Sequence, residues 1–187
     1  NKVFPIDFDR LQRNLDGKNF YIVVSDGMTA KPEYIELSKE NYINEMLATG
    51  SLPVLMKNPI KLNNKRKYDG GITDPLPVKK AYEMGARDIT IIRTYEESFI
   101  RKTKLENYIA ALATRSHPEI SKAILFNNVT YNSALKFIEN PPSDCTIKQI
   151  CPPYRLKTKR ATTNHITMKA DYQMGLKAGQ NFLQKLT

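Results

Sequence analysis

The sequence predicts an α/β fold, and three observations carry that reading. Short β-branched runs such as 20–25 (FYIVVS) and 88–94 (DITIIRT) read as buried strands. Segments with apolar residues three, four and seven positions apart read as helices, the longest over 118–138. Between the two strand types, a strand, helix, strand succession over 65–94 has the length of a right-handed parallel crossover. The chain's 187 residues, 41% hydrophobic and 26% charged, are enough for one packed domain, and the expected boundary is a single domain over 1–187.

Each element follows from local pattern. The run 20–25 ends at Asp26-Gly27, a turn, and 33–37 (EYIEL) alternates polar and apolar as a hairpin partner would. In 41–49, Tyr42, Ile43, Met46 and Leu47 keep helical spacing up to Gly50. Residues 54–56 read as extended. Asn63-Asn64 marks a tight turn, because asparagine accepts positive φ, and the chain returns through 65–68 to Asp69. Asp74 is the expected cap of a helix with Pro75 and Pro77 in its first turn, where the missing amides have no intrahelical role, and with Val78, Ala81, Tyr82 and Gly85 inward. Helices follow at 105–112 and 118–138, the second facing Ile120, Ile124, Tyr131, Leu135 and Ile138 inward. A last strand at 144–150, a polar loop at 152–167 and a closing helix at 169–186, with Tyr172, Leu176, Gly179 and Leu183 inward, complete the pattern.

Composition narrows the function. No run approaches the roughly 20 apolar residues of a membrane-spanning helix. The formal net charge of +10 biases the surface toward anionic partners. Basic residues concentrate in 57–67 (KNPIKLNNKRK) and 155–160 (RLKTKR), without the interleaved aromatics of a base-stacking surface. A solvated basic face ranks first for these segments, an anionic membrane surface second and nucleic acid last. Cys145 and Cys151 flank TIKQI and read as reduced thiols, with a small disulfide loop the minority alternative. They lack ligand-like spacing to His117 and His165, so neither a metal nor any other cofactor is expected. Both histidines read as surface or structural residues.

Chemistry concentrates in 68–85 (YDGGITDPLPVKKAYEMG). A carboxylate at a strand end, followed by two glycines that permit close backbone approach, sits where open α/β sheets bind ligands. There Asp69 has the position of a general base for a hydroxyl nucleophile, although an Asp-Gly-Gly turn that only ends a strand has the same spelling.

The segment YDGGITDPLPVKKAYEMGARDITII resembles the Asp-Gly-Gly region of bacterial patatin-like phospholipases, and FPIDFDRL, FYIVVSDGMTAKPEYI and ATGSLPVLMKNP resemble further stretches of that family in the same order. The resemblance implies a three-layer α/β/α sheet, of which this chain is the C-terminal portion. It implies that Asp69 is the acid of a Ser-Asp dyad with Gly70 and Gly71 as its active-site loop. Ser51, Leu52 and Pro53 fall in the family's pre-proline segment and are the candidate substrate-pocket wall. Neither the family's Gly-rich oxyanion loop nor its Gly-x-Ser-x-Gly elbow occurs among the eight glycines, and Ser25 and Ser51 lack an elbow context. The implied function is part of a serine acyl hydrolase acting on a lipid or acyl ester, cytoplasmic or peripheral on an anionic membrane surface. The nucleophile would come from upstream polypeptide that completes the fold, so this chain alone would be inactive. If the first strands of the sheet are supplied that way, the inner faces of 20–24 and 89–92 should be left partly uncovered. The alternative from a different class is a non-catalytic basic binding module on the same scaffold, holding an anionic lipid or polymer.

Overall fold

A computed structural model describes residues 7–14, 17–38, 40–54, 56, 60–159 and 162–186. The architecture is mixed α/β, in two compact units. The first comprises Asn1–Pro77 and Lys102–Tyr131, the second Val78–Arg101 and Asn132–Thr187.

In the first unit a helix α1 (Phe8–Asn14) precedes a four-stranded antiparallel sheet of order β2-β1-β4-β3. Strands β1 (Tyr21–Asp26) and β2 (Pro32–Glu36) form the expected hairpin. Its turn is pinned by Asp26, whose Oδ1 accepts the amides of Met28 and Thr29 at 3.0 and 2.9 Å. Helix α2 (Tyr42–Thr49) follows, and Ala48 closes a cluster with Ile22 and Val24. Strands β3 (Ile60–Leu62) and β4 (Lys65–Asp69) are joined through Asn63 and Asn64 at φ 51° and 60°, the left-handed pair that a two-residue hairpin loop requires. Residues 54–56 are not an extended run: Val54 lies in a turn and the Met56 amide donates to the Leu52 carbonyl at 3.0 Å, while Leu55 falls outside the described residues. Helix α4 (Leu105–Ala113) and the first part of α5 (Pro118–Glu139) pack Ala111, Ile120 and Ile124 against Tyr68 of β4 and Ile72 in a second cluster.

In the second unit, α3 (Val78–Glu83) stops at Gly85, whose φ of 101° few other residues adopt. Strands β5 (Asp88–Ile92) and β6 (Thr146–Ile150) pair in parallel, with Asp88 opposite Thr146 and Ile92 opposite Ile150. The closing helix α6 spans His165–Gln184.

Four expectations are corrected. The first is the crossover over 65–94, because β4 and β5 do not share a sheet. Both edges of β4 are taken, by β1 and by its hairpin partner β3, so β5 pairs with β6 instead. Second, α3 begins only after both prolines, and Asp74 does not cap it, because its carboxylate accepts the Tyr34 hydroxyl of β2. Third, α6 starts four residues earlier than expected, at an Asn164 side chain that accepts the Thr167 amide at 3.0 Å. Its inward face is also different. Thr167, Asp171, Met174, Ala178 and Phe182 are half-buried, as is Gly179 of the expected face, whereas Tyr172, Leu176 and Leu183 are exposed. The helix carries two apolar stripes, and on the half-buried side Asp171 accepts the Thr158 amide at 2.6 Å. Fourth, Lys67 does not belong to a solvated basic face. Strand alternation turns it onto β1 and β2, where it is 3% exposed and bonded to Asp26 and Glu33.

On α5, Ile120, Ile124, Tyr131, Leu135 and Ile138 are all buried as expected. Cys145 and Cys151 are free thiols. They bracket an extended strand, which separates them by about 20 Å, far beyond disulfide reach. Burial raises the Cys151 pKa above its ordinary value against the opposing pull of Arg93. Among the described residues no helix is long and apolar enough to cross a membrane, and no group of three or more His, Cys, Asp and Glu could hold a metal.

Candidate active site

Asp69 ends β4 and caps the short 3-10 turn Gly70–Ile72. Three main-chain bonds hold its position. Its amide donates to the Ser51 carbonyl at 2.8 Å, its carbonyl accepts the Ser25 hydroxyl at 2.8 Å, and its Oδ1 accepts the Gly71 amide at 2.7 Å. The side chain is half-buried, Oδ2 has no hydrogen-bond partner, and no cation among the described residues pairs with it. The carboxylate is thus oriented by one oxygen and available through the other, which is what accepting a proton from an incoming hydroxyl requires.

The glycines act through space, not through φ. Gly70 is buried against β1, and a Cβ there would lie 2.7 Å from the Val23 Cβ and closer still to the Val23 carbonyl. A Cβ on Gly71 would meet Asp69 Oδ1 at 3.0 Å. Neither residue has positive φ, so the hinge expected of them is a close-packed cradle.

Ser51 is fully buried, and its Oγ has no hydrogen-bond partner. Its contribution to the site is the carbonyl that holds Asp69. Leu52 and Pro53 are half-buried, and Pro53 lines a cavity with Val54 and Met56. Ser25 is equally enclosed, its hydroxyl shared between the Asp69 carbonyl and Thr73 Oγ1 at 2.8 Å each. Neither serine hydroxyl is placed to attack a substrate. His165 is the exposed first residue of α6, and His117 precedes α5.

Lys67 shares a strand face with Asp69, yet its ammonium is taken by Asp26 at 2.9 Å and Glu33 at 2.7 Å. Burial alone would lower the Lys67 pKa, but the bonds to Glu33 and Asp26 outweigh it and hold the pKa above the ordinary value. Burial likewise pushes the Asp26 carboxyl upward, and the bonds from Lys67, Thr29 and Met28 overrule it, leaving the pKa well below the usual carboxylate range.

One positioning residue escaped sequence reasoning. Asn127 of α5, 8% exposed, donates through Nδ2 to the carbonyls of Gly71 at 2.6 Å and Ile72 at 2.9 Å, clamping the turn after Asp69. The signal was present: Asn127 interrupts the inward series Ile120, Ile124, Tyr131 with a polar residue, and a buried amide needs partners. Asn127→Leu strands both carbonyls, and a loss of about 1–3 kcal/mol is expected by urea denaturation. A loss under roughly 0.5 kcal/mol would remove Asn127 from this role.

Residues 117–187 match the family model of a domain of unknown function, DUF6363. The chain is 26% identical over 181 residues to the uncharacterized protein YjjU of Escherichia coli (strain K12), an alignment that covers 96% of this chain and 51% of that protein. The chain therefore spans about half the length of the curated relative it matches. No solved structure matches it. The family model leaves Asp69 and its glycines outside, as they precede residue 117.

Proposed function

We propose that this chain is the acid-bearing part of a patatin-like serine acyl hydrolase, acting on phospholipids or related acyl esters. Asp69 takes the proton of a serine hydroxyl supplied by further polypeptide as that oxygen attacks the ester carbonyl. Asp69 passes that proton to the departing alkoxide as the acyl-serine forms, and water then attacks the acyl carbon with Asp69 again as base, the proton returning to the serine oxygen as the carboxylic acid leaves. A three-layer α/β/α arrangement completed by that polypeptide is the architecture this reading needs. The observation that carries it is the Asp69 carboxylate itself, fixed through Oδ1, unpaired by any described cation and left with Oδ2 free at a strand end.

Uncovered apolar surface supports a missing neighbour, though not everywhere the sequence led one to look. Ile22 and Val24 are buried, because β1 is flanked on both sides and covered by α2, and Ile89 is buried too. Ile92, by contrast, is 77% exposed on a two-stranded parallel sheet, a structure that proteins rarely leave so bare. On α4, Leu105, Tyr108, Ile109 and Leu112 form an exposed stripe at helical spacing.

The test is ester turnover by the intact polypeptide containing this chain. Asp69→Asn keeps the bond from the Gly71 amide through its amide oxygen but abolishes the base, so kcat is expected to fall about 10²–10⁴-fold with little change in KM. The 187-residue chain alone should show no turnover. An Asp69→Asn protein with undiminished kcat would overturn the proposal.

A further inference from the structure

We infer that the first unit carries a second site, a cavity that binds a small organic oxyanion, on the face of β4 opposite Asp69. The cavity has a volume of about 310 Å³, and Arg66, Tyr68, Ser116 and His117 line it together with the apolar walls Met56 and Ile120. Alternation along β4 puts Arg66 and Tyr68 on one strand face and Lys67 and Asp69 on the other, so this cavity, which Pro53 also lines, lies on the face away from the Asp69 carboxylate. The inference does not depend on the hydrolase reading.

Three of the polar side chains that line the cavity, Arg66, Tyr68 and Ser116, have a proton to donate. Arg66 Nη1 lies 2.9 Å from His117 Nε2. A guanidinium can only donate, so Nε2 is the acceptor in this contact and Nδ1 is the ring nitrogen that can donate. Nδ1 is 3.0 Å from Ser116 Oγ and donates to it, which leaves the serine's own proton free. Arg66 forms no ion pair among the described residues and keeps further N–H groups unused. Tyr68 is 4% exposed as a residue, packs edge-on to the His117 ring at 6.0 Å, and its hydroxyl bonds to no group among the described residues. Tyr68 lines the cavity, so that hydroxyl is available to donate to a ligand there. The first turn of α5, beginning at Pro118, adds the positive end of a helix 22 residues long. No carboxylate lies among the described lining residues, and Glu119, the acid of the first α5 turn, is paired with Lys122. The volume is at the small end of ligand cavities, and its apolar walls suit a compact body behind the charged head: a phosphate monoester or a short-chain carboxylate.

The experiment is calorimetric titration of the 187-residue chain at fixed ionic strength with three probes: inorganic phosphate, glycerol 3-phosphate and hexanoate. Saturable one-site binding by at least one probe is expected, and the probe that binds best says whether the head group is a phosphate or a carboxylate. Arg66→Gln should weaken that binding about tenfold or more, and Tyr68→Phe about fivefold, as the loss of a charge-assisted and a neutral hydrogen bond implies. Lys65→Gln makes the same charge change at an exposed neighbour on the same hairpin and should leave binding within about twofold. Arg66 is exposed, and thermal melts will show that its variant is folded. Failure of all three probes to saturate, or equal weakening by Arg66→Gln and Lys65→Gln, overturns the site in favour of diffuse surface charge.

Discussion

Lys67→Met is expected to destabilise the chain by about 3–5 kcal/mol, although it replaces a cation in a basic segment by an apolar side chain of similar length. The Lys67 side chain is 3% exposed and that of Asp26 9%, so removing the ammonium leaves a carboxylate in an enclosed place without its cation. Glu33, 40% exposed, can turn to water, but Asp26 cannot, because its Oδ1 is committed to the Met28 and Thr29 amides. Had Lys67 been a surface residue, the same substitution would cost about 0–1 kcal/mol, and urea denaturation at pH 7 separates these outcomes. The pH dependence gives a second readout. The folded pKa of Asp26 lies below its unfolded value near 3.9, so its contribution is present above that value and is lost as pH falls through the folded pKa. The gap between wild type and variant should therefore narrow as pH is lowered below about 4. Lys67 has the opposite sign: its raised pKa contributes stability below the unfolded value near 10.4, lost only as pH rises through the folded one. A pH 7 difference under about 1 kcal/mol would show that the triad is no more than a surface pair.

Lys67 also marks where sequence reading runs out. Information carried by neighbours along the chain was legible. The Asn63-Asn64 loop needs left-handed backbone, α5 repeats its apolar residues with helical period, and both β1 and β5 appear as β-branched runs. Asp69 stood out for the same reason, an acid beside two glycines within four residues. What could not be read were partners across tens of residues. Lys67 finds Asp26 and Glu33, Asn127 finds Gly71 and Ile72, and His117 finds Arg66, each through folding of distant segments. Edge occupancy is equally non-local. The pairing of β5 with β6 follows from β4 having two partners already, a fact about β1 and β3 that no window around 65–94 contains. Helix α6 failed differently, since it carries two apolar stripes and the local pattern does not choose between them.

Gly70→Ala should be the most damaging small substitution in the chain, costing about 4 kcal/mol or more, because the added methyl meets main chain that has no freedom to yield. The Val23 carbonyl that it would strike belongs to β1, the strand bonded on both sides by β2 and β4, and that oxygen also accepts the Thr49 hydroxyl at 2.6 Å. Relieving the clash means moving the middle of the sheet. Gly71→Ala offers the contrast. Its methyl meets only the Asp69 Oδ1 at 3.0 Å, and a side-chain carboxylate can rotate away. A stability loss of about 1 kcal/mol is expected there, the worth of the displaced hydrogen bond from the Gly71 amide. The two neighbouring glycines thus separate folding from chemistry. Substitution at 70 should appear in denaturant midpoints of the 187-residue chain, and substitution at 71, on the proposed hydrolase reading, chiefly in the turnover of the intact polypeptide, through displacement of the Asp69 carboxylate. A Gly70→Ala chain unfolding within about 1 kcal/mol of wild type would mean that the turn does not press on β1 as described, and that Asp69 is held less firmly than its three main-chain bonds imply.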